Sequence, residues 1–125
     1  MAVGVAAVGI GAWGLINKMS DEIERISQRP SGPDTEQYSL RATYSGDYPN
    51  VRGGTVYLNA GDVWKYGQTS NPESRYSQKE LAQAGLRYVT EFQGGQVQAL
   101  IQEKLKIYSY VIDNGTLPPG NKIFR

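Results

Sequence analysis

The chain has 125 residues, of which 39% are hydrophobic and 20% are charged, and its formal net charge is +1. These values are ordinary for one globular domain that can bury a core. The chain contains no cysteine and no histidine. Thiolate nucleophiles, disulfides, zinc fingers and every catalytic or metal-binding role of histidine are therefore excluded, which leaves chemistry with a hard metal ion or without a metal.

The N-terminal segment differs in composition from the rest. Residues 3–16 are apolar and rich in Gly and Ala, residues 17–28 are charged and helix-like, and residues 29–33 contain two helix-breaking prolines. The apolar stretch is too short to span a bilayer comfortably, and no basic residues precede it as they would in a signal peptide. If the apolar stretch is a helix, its small residues lie on one face and would allow another helix to pack closely against it. These residues are Gly4, Ala7, Gly11 and Gly14.

We expect this composition change to mark a domain boundary. Residues 1–32 are interpreted as the tail of a longer protein, and residues 33–125 as the functional domain. Within that domain, the polar and tyrosine-containing residues 38–44 predict an edge strand.

The next segment predicts a β-hairpin. Residues 55–58 and 63–66 are rich in β-branched and aromatic side chains, and the turn sequence Asn-Ala-Gly-Asp separates them. Residues 68–72 predict a polar loop ending in an Asn-Pro turn, after which Arg75 lies at the start of a helical segment.

The C-terminal half predicts a helix, a strand and a second helix. Ser77 and Glu80 have capping-box spacing, and Gly85 would end that helix. Residues 86–92 alternate as a third strand, and the apolar positions of residues 97–112 follow helical spacing, which predicts the longest helix. The expected fold class is α+β: a small antiparallel three-stranded sheet flanked by helices, with an N-terminal apolar helical segment.

Several elements in this order resemble the GIY-YIG nuclease family. The resemblance covers roughly residues 54–122. Its elements are Thr-Val-Tyr at 55–57, Lys-Tyr-Gly at 65–67, Thr69 and Asn71 after that glycine, Arg75 eight positions after it, a helix with Glu103, and Pro-Pro-Gly-Asn at 118–121. The sheet with flanking helices agrees with the fold that this family implies.

The resemblance implies a metal-dependent endonuclease that hydrolyses phosphodiester bonds. Tyr57 would orient or deprotonate the attacking water, Arg75 would hold the scissile phosphate, and Glu103 would hold one Mg²⁺ or Mn²⁺ ion. Asn121 would support the site from the C-terminal tail. Further contacts to the substrate would come from Thr69, Asn71 and Lys79. Without the resemblance, Tyr57 is an ordinary strand tyrosine and Glu103 a solvated charge paired with a neighbouring lysine.

Two positions depart from the family pattern. The second motif usually begins with tyrosine, whereas Lys65 stands there and Tyr66 follows. Since neighbouring strand residues face opposite sides, either Lys65 points into the site or a one-residue slip delivers Tyr66, and both alternatives remain open. The histidine often found one turn after Arg75 is replaced by Lys79, which a continuous helix would place on the same face.

A nuclease domain behind a Gly/Ala-rich apolar segment also resembles the C-terminal toxin modules of bacterial polymorphic effectors. Such modules are delivered by contact-dependent secretion, for example type VI, into the cytoplasm of a target cell. This implies an immunity protein that is acidic where it covers Arg75 and Lys79. Outside that role the protein would be cytoplasmic, with no stable membrane span and no small-molecule cofactor.

Charge favours a nucleic-acid partner for the C-terminal part. Residues 51–125 hold nine Lys and Arg against six Asp and Glu, a net charge of +3, which predicts a weak, salt-sensitive attraction to a polyanion. We favour DNA over RNA. The alternatives are a mobile-element or restriction-type endonuclease, a non-catalytic nucleic-acid or protein binding module of the same fold, and a membrane-active protein that depends on residues 3–16.

Overall fold

A computed structural model describes residues 2–124 of the chain, with side chains described for residues 13–124. The helices are α1 (Ala2–Ser27), α2 (Pro72–Arg75), α3 (Gln78–Ala84) and α4 (Gln96–Asn114). The strands are β1 (Thr35–Ala42), β2 (Gly46–Pro49), β3 (Thr55–Leu58), β4 (Val63–Thr69) and β5 (Leu86–Gly94). The expected α+β class is confirmed.

The main sheet is antiparallel and has three strands in the order β4-β1-β5, while β2 and β3 form a separate two-stranded sheet. A three-stranded antiparallel sheet was predicted, but its membership differs from the prediction. The predicted hairpin between residues 55–58 and 63–66 is wrong, because β3 pairs with β2 and β4 pairs with β1.

Tertiary burial explains why the hairpin does not form. The predicted turn is present, with Gly61 at a φ of 92°, but its backbone bonds to the end of β1, where the Gly61 amide donates to the Ala42 carbonyl and the Ala42 amide donates to the Asp62 carbonyl. β1 is eight residues long and offers β4 a longer ladder than the four-residue β3. Turn residues indicate that the chain reverses, but they do not select the partner strand.

The predicted edge strand at residues 38–44 is the central strand of the main sheet, so that prediction is also wrong. β1 reads as polar because Gln37, Ser39 and Arg41 alternate with its apolar residues. These polar side chains are satisfied beneath α4: Ser39 donates to Glu91 at 2.5 Å, Arg41 donates to Glu91 at 3.0 Å, and Lys106 of α4 donates to Gln37 at 2.6 Å. A central strand that contributes to a polar layer of this kind has as many polar residues as an edge strand, so composition alone does not distinguish the two.

The two faces of the main sheet are covered differently. One face carries Tyr38 and Leu40, which pack with Tyr48 of β2, Leu58 of β3 and Leu86 of β5 in one core cluster. The other face carries the polar layer and is covered by α4. The site described below lies on the Tyr38 face.

Local signals placed the C-terminal elements well. Ser77 accepts a hydrogen bond from the Glu80 amide, and Glu80 accepts one from the Ser77 amide, which completes the predicted capping box. Gly85 ends α3 in a left-handed conformation, and Gly115 ends α4 in the same way. The predicted third strand is β5. The prediction that α4 is the longest helix is wrong, since α1 has 26 residues and α4 has 19.

α1 runs without interruption through the apolar and the charged parts of the N-terminal segment, and its C-terminal end packs on α4. Ile26 is buried there. Glu22 forms an ion pair with Lys104 at 2.6 Å and accepts a hydrogen bond from Tyr108 at 2.5 Å. Gly11 and Gly14 are exposed, while the rest of the predicted small-residue face lies outside the described side chains. Within residues 2–124, no helix combines the length and apolar character needed to cross a membrane.

Candidate functional site

Three tyrosine rings form the floor of the candidate site. Tyr38 of β1 is only 1% exposed, and its ring stacks on that of Tyr88 of β5, with centroids 4.8 Å apart and planes 22° apart. Tyr76, which follows α2, meets Tyr38 edge-on at 5.7 Å and 78°. Aromatic pairs add about 0.5–1.5 kcal/mol beyond the burial of their surface. These ring contacts stabilise the packing of the floor.

The hydroxyl groups of this floor meet a lysine. The Tyr38 and Tyr76 oxygens lie 2.8 Å apart and share a hydrogen bond, and the Lys65 ammonium donates to the Tyr76 oxygen at 3.1 Å. Burial and, to a smaller extent, the hydrogen bond with Tyr76 raise the pKa of Tyr38. Tyr38 therefore keeps its proton at neutral pH. The Tyr76 oxygen is placed to accept hydrogen bonds from both neighbours.

A glycine makes room for this contact. Gly67 lies opposite Tyr38 in the ladder between β1 and β4, and a Cβ at this position would overlap the hydroxyl end of the Tyr38 ring. Glycine within a strand often marks such a close approach. The glycine of the Lys-Tyr-Gly segment thus positions Tyr38 beside Tyr76.

Arg75 brings a second positive charge to the edge of the cluster. Its guanidinium carbon lies 4.3 Å from the centroid of the Tyr76 ring, and its side chain is exposed. Stacking of a guanidinium on an aromatic face holds the group in place while its N–H donors stay available. The arrangement suits an anion with several oxygens, such as a phosphodiester.

The prediction that Lys79 lies on the same helix face as Arg75 is wrong, because the two residues lie on different helices. α2 ends at Arg75, and Tyr76 is extended, with φ −138° and ψ 141°. α3 then begins after the cap residue Ser77. The break turns the chain so that the Tyr76 ring enters the cluster, whereas Lys79 is exposed on α3.

The carboxylate of Glu36 lies at the other end of the aromatic floor. It accepts hydrogen bonds from Tyr88 at 2.8 Å, from Thr90 at 3.1 Å and from Gln93 at 2.6 Å. Burial alone would raise the pKa of Glu36, but these three hydrogen bonds outweigh it, so the pKa lies below its ordinary value. The negative charge of Glu36 anchors Tyr88 in the floor.

The structure decides between Lys65 and Tyr66. Lys65 lies opposite Leu40 in the ladder and faces the tyrosine cluster, whereas Tyr66 lies opposite Ser39 on the α4 face. There, burial raises the pKa of Tyr66, and Arg41 and Glu91 are its charged neighbours. Lys65 is therefore the residue that points into the candidate site.

Tyr57, for which a catalytic role was predicted, is not part of the tyrosine cluster. It lies on β3 in the separate sheet and is 60% exposed. Its neighbours Val56 and Leu58 pack against the core cluster, so strand alternation turns Tyr57 away from it. The strand beside Lys65 is β1, and its tyrosine is Tyr38.

Glu103 lies in a different place from Arg75. It is 7% exposed on α4 and lines a cavity of about 500 Å³ between α1, α4 and β4 together with Glu22, Arg25, Arg29 and Lys104. Arg75 stacks on Tyr76 at the Tyr38 face, whereas α4 covers the opposite face of the sheet.

The residues around Glu103 do not fit a resident Mg²⁺ or Mn²⁺ ion. Three of the charged side chains that line this cavity are basic, and Glu103 already has an interaction partner. Both carboxylate oxygens of Glu22 accept hydrogen bonds, from Lys104 and Tyr108. Across the part of the chain that the structure describes, no three acidic side chains converge as a group that could hold a metal ion.

Asn121 supports the site through the backbone. Its buried side-chain amide accepts a hydrogen bond from the Tyr66 amide at 3.0 Å and donates one to the Tyr66 carbonyl at 2.9 Å. The C-terminal tail thereby completes the outer edge of β4, next to Lys65. Arg52 holds the same tail, donating to the carbonyls of Leu117, Pro118 and Asn121.

Thr69, the last residue of β4, and Asn71, in the loop that follows, act mainly on that loop. Thr69 is buried, and its hydroxyl accepts a hydrogen bond from the Asn71 amide at 3.0 Å. Asn71 is exposed and precedes α2 without a side-chain capping bond. Thr69 thus shapes the turn that presents Arg75, and Asn71 remains accessible.

No family model, curated protein or solved structure matches the chain.

The sequence prediction missed Glu36, Tyr38, Tyr76 and Tyr88. Tyr76 directly follows Arg75, and this adjacency of a guanidinium and a phenol was the one local signal that could have identified it. The other three are brought together by the ladders of β1 with β4 and β5. Residues so far apart in the sequence give no spacing pattern that predicts their contact.

Proposed function

We propose that this protein is an endonuclease of the GIY-YIG type that cleaves phosphodiester bonds, with DNA favoured over RNA. The observation that carries the proposal is the convergence of Arg75, Lys65 and the Tyr76 hydroxyl on one aromatic floor. This places a phosphate-binding guanidinium and a phenol oxygen with an adjacent ammonium at one exposed edge of the sheet.

The resemblance then applies with one reassignment. If the two motif strands pair with each other, as the predicted hairpin assumed, β1 supplies the first motif and Tyr38 stands at the strand position given to Tyr57, but because Tyr38 is buried the role of orienting the water passes to Tyr76. Lys65 begins the second motif, and Gly67 lies opposite Tyr38. Arg75 keeps its predicted role.

The chemistry follows from the charges. Arg75 binds the scissile phosphate and offsets the charge that builds on its oxygens in the transition state. The Tyr76 hydroxyl orients the attacking water, whose proton passes to solvent as the new P–O bond forms, and the leaving oxygen takes up a proton from solvent as its bond to phosphorus breaks. A phenol is a poor base by itself, so its proposed role is to position the water, and the Lys65 ammonium, 3.1 Å away, holds the Tyr76 oxygen in place.

The proposed reaction uses no metal ion, because the surroundings of Glu103 do not fit one. The predicted dependence on Mg²⁺ or Mn²⁺ is tested by comparing cleavage with either ion and with EDTA. Loss of cleavage on adding EDTA, together with loss in Glu103→Gln, would restore the predicted metal role of Glu103.

The test is degradation of supercoiled plasmid and of total RNA by the purified chain, with Mg²⁺, with Mn²⁺ and with EDTA. Arg75→Ala and Tyr76→Phe are each expected to lower cleavage about 10²-fold or more. Tyr57→Phe is the matched control and keeps wild-type cleavage. Intact nucleic acid under all conditions, with a folded protein by circular dichroism, would refute the proposal in favour of a non-catalytic binding module.

The proposed biological role is an antibacterial toxin domain, secreted by a bacterial producer and neutralised there by an acidic immunity protein. It is supported by the sequence resemblance and by the exposed positive charge of Arg75. Expression in a bacterial cytoplasm should stop growth and degrade DNA, whereas Arg75→Ala should be harmless. Equal growth with both proteins would count against the toxin role.

A further inference from the structure

The side chain of Gln37 joins β1 to β4 from the α4 face of the main sheet. Gln37 is 0% exposed, and since it alternates with Tyr38, the two side chains lie on opposite faces. The Gln37 amide nitrogen donates to the Tyr38 carbonyl at 2.7 Å and to the Gly67 carbonyl at 3.4 Å. Tyr38 and Gly67 are directly opposite each other in the ladder. One side-chain amide therefore binds the backbone of both residues of this closely packed pair.

Lys106 fixes the orientation of this amide. The Lys106 ammonium donates to the Gln37 amide oxygen at 2.6 Å. Because an ammonium can only donate, the amide oxygen has to face Lys106, and the amide nitrogen then faces the two carbonyls. An amide turned the other way would place its N–H groups against the ammonium and its oxygen against two carbonyl oxygens. Lys106 therefore holds Gln37 in the orientation that bridges β1 and β4.

A bulge in β5 supplies the carboxylate that holds Lys106. The register of β1 with β5 shifts between Gln37 and Tyr38, so that Glu91 has no residue opposite it on β1. A bulge of this kind re-aims a side chain. The Glu91 carboxylate lies 3.8 Å from the Lys106 ammonium beneath α4. The cation is thus placed beside Gln37 by the helix and by the bulge together.

We propose that Gln37 and Lys106 are positioning residues for the candidate site on the opposite face of the sheet. This rests on the proposed function, in which Tyr76 orients the attacking water, and it deepens that function. The Tyr38 and Tyr76 hydroxyl groups share a hydrogen bond at 2.8 Å, so the place of Tyr76 depends on how closely Tyr38 approaches Gly67. The Gln37 bridge sets that approach. A misplacement of about 1 Å can cost about 10²-fold in rate.

Steady-state cleavage of a labelled DNA duplex by the full chain tests the proposal. Lys106→Met leaves the Gln37 oxygen without its donor and should lower kcat about tenfold. KM should not change, because Arg75, which binds the phosphate, is not altered. Lys106→Arg keeps a donor and should recover most of the kcat. Gln98→Leu is the control, because Gln98 is an exposed glutamine of α4, and it should match wild type.

A double substitution separates positioning from stability. Lys106→Met leaves a buried oxygen unpaired and should lower the urea midpoint of unfolding. Gln37→Leu combined with Lys106→Met replaces both partners by apolar side chains and should restore much of that midpoint. The double variant still lacks the bridge to the two carbonyls, so its kcat should stay low. A kcat that recovers together with the midpoint would overturn the proposal and make the contact a purely structural one.

NMR of the Tyr38 side chain reads out the bridge without any cleavage. The Cζ chemical shift of a tyrosine responds to the hydrogen bonding of its hydroxyl group. Lys106→Met and the double variant should change this shift for Tyr38, whereas Gln98→Leu should not. An unchanged shift in the double variant would overturn the proposal.

Failure of the bridge and failure of the nuclease function are distinguishable. Cleavage by wild type with the same kcat in Lys106→Met would retain the nuclease and refute the positioning role. If the wild-type chain leaves nucleic acid intact while the Tyr38 shift changes as expected, the nuclease is refuted and the Gln37 bridge to Tyr38 is retained.

Discussion

The ammonium of Lys65 donates a hydrogen bond to the hydroxyl oxygen of Tyr76 at 3.1 Å, across eleven residues of sequence. Two different elements bring these groups together, since Lys65 lies on β4 and Tyr76 follows the short helix α2. The contact gives the phenol a cationic neighbour at the edge of the sheet where Arg75 is exposed. It is the relationship on which the proposed chemistry depends most directly.

The first prediction concerns this ammonium. Lys65→Met should lower plasmid cleavage about 10²-fold, because the Tyr76 hydroxyl would lose the ammonium that holds it in position to orient the water. Lys65→Arg keeps a positive charge and should retain part of the activity. Lys122→Met removes an exposed lysine instead and should cleave at the wild-type rate. Unchanged cleavage in Lys65→Met would remove Lys65 from the mechanism.

The second prediction concerns the close approach of Gly67 and Tyr38. Gly67→Ala should lower the free energy of unfolding by about 1–3 kcal/mol, because the added Cβ overlaps the Tyr38 ring. Urea denaturation monitored by circular dichroism measures the change. Gly46→Ala is the matched control in a strand, since a Cβ there has open space. If the two variants are equally stable, the packing described for Tyr38 is incorrect.

The third prediction concerns the C-terminal tail. Asn121→Ala leaves the Tyr66 amide and carbonyl without their side-chain partners at a buried position, which should cost about 1–3 kcal/mol of unfolding free energy. Asn114→Ala removes an exposed side-chain bond to the Tyr110 carbonyl and should cost less than half as much. A loss of cleavage in Asn121→Ala without a loss of stability would instead indicate direct contact with substrate.

The fourth prediction concerns pH and the packing of α1 on α4. Burial alone would raise the pKa of Glu22, but hydrogen bonds from Lys104 and Tyr108 outweigh it and hold the pKa below the ordinary value of 4.5. Because the folded-state pKa is lowered, the stabilisation is fully present above the unfolded-state pKa and is lost as the pH falls through the folded-state pKa.

Hydrogen exchange of the α1 amides at neutral pH and in acid measures this effect. Glu22→Gln should reduce protection of the end of α1 at neutral pH, and the difference from wild type should shrink in acid. Glu24→Gln serves as the control, because Glu24 is exposed on the same helix. If the difference in protection between Glu22→Gln and wild type does not change with pH, the ionised carboxylate of Glu22 is not what holds α1 on α4.

The sequence by itself determined the elements whose signals are local. The capping box of Ser77 and Glu80, the left-handed glycines that end α3 and α4, and the alternation of β5 all act within a few residues of chain. Because these signals depend on backbone conformation and near neighbours, they could be predicted without knowledge of the partner elements. Arg75 was a candidate through the family resemblance, whose motif places it eight positions after Gly67.

Only the tertiary structure decided the pairing of the strands, and with it the membership of the site. β4 pairs with β1 rather than with its neighbour β3. This pairing puts Tyr38 rather than Tyr57 on the strand beside Lys65 and turns Lys65 rather than Tyr66 to the Tyr38 face, whereas Glu103 lies on α4 at the opposite face from Arg75. The physical reason is that several strands compete for each ladder. The pairing that buries the most apolar surface and leaves the fewest polar groups without hydrogen bonds is favoured, and this depends on the whole chain. Local residue spacing therefore does not predict it.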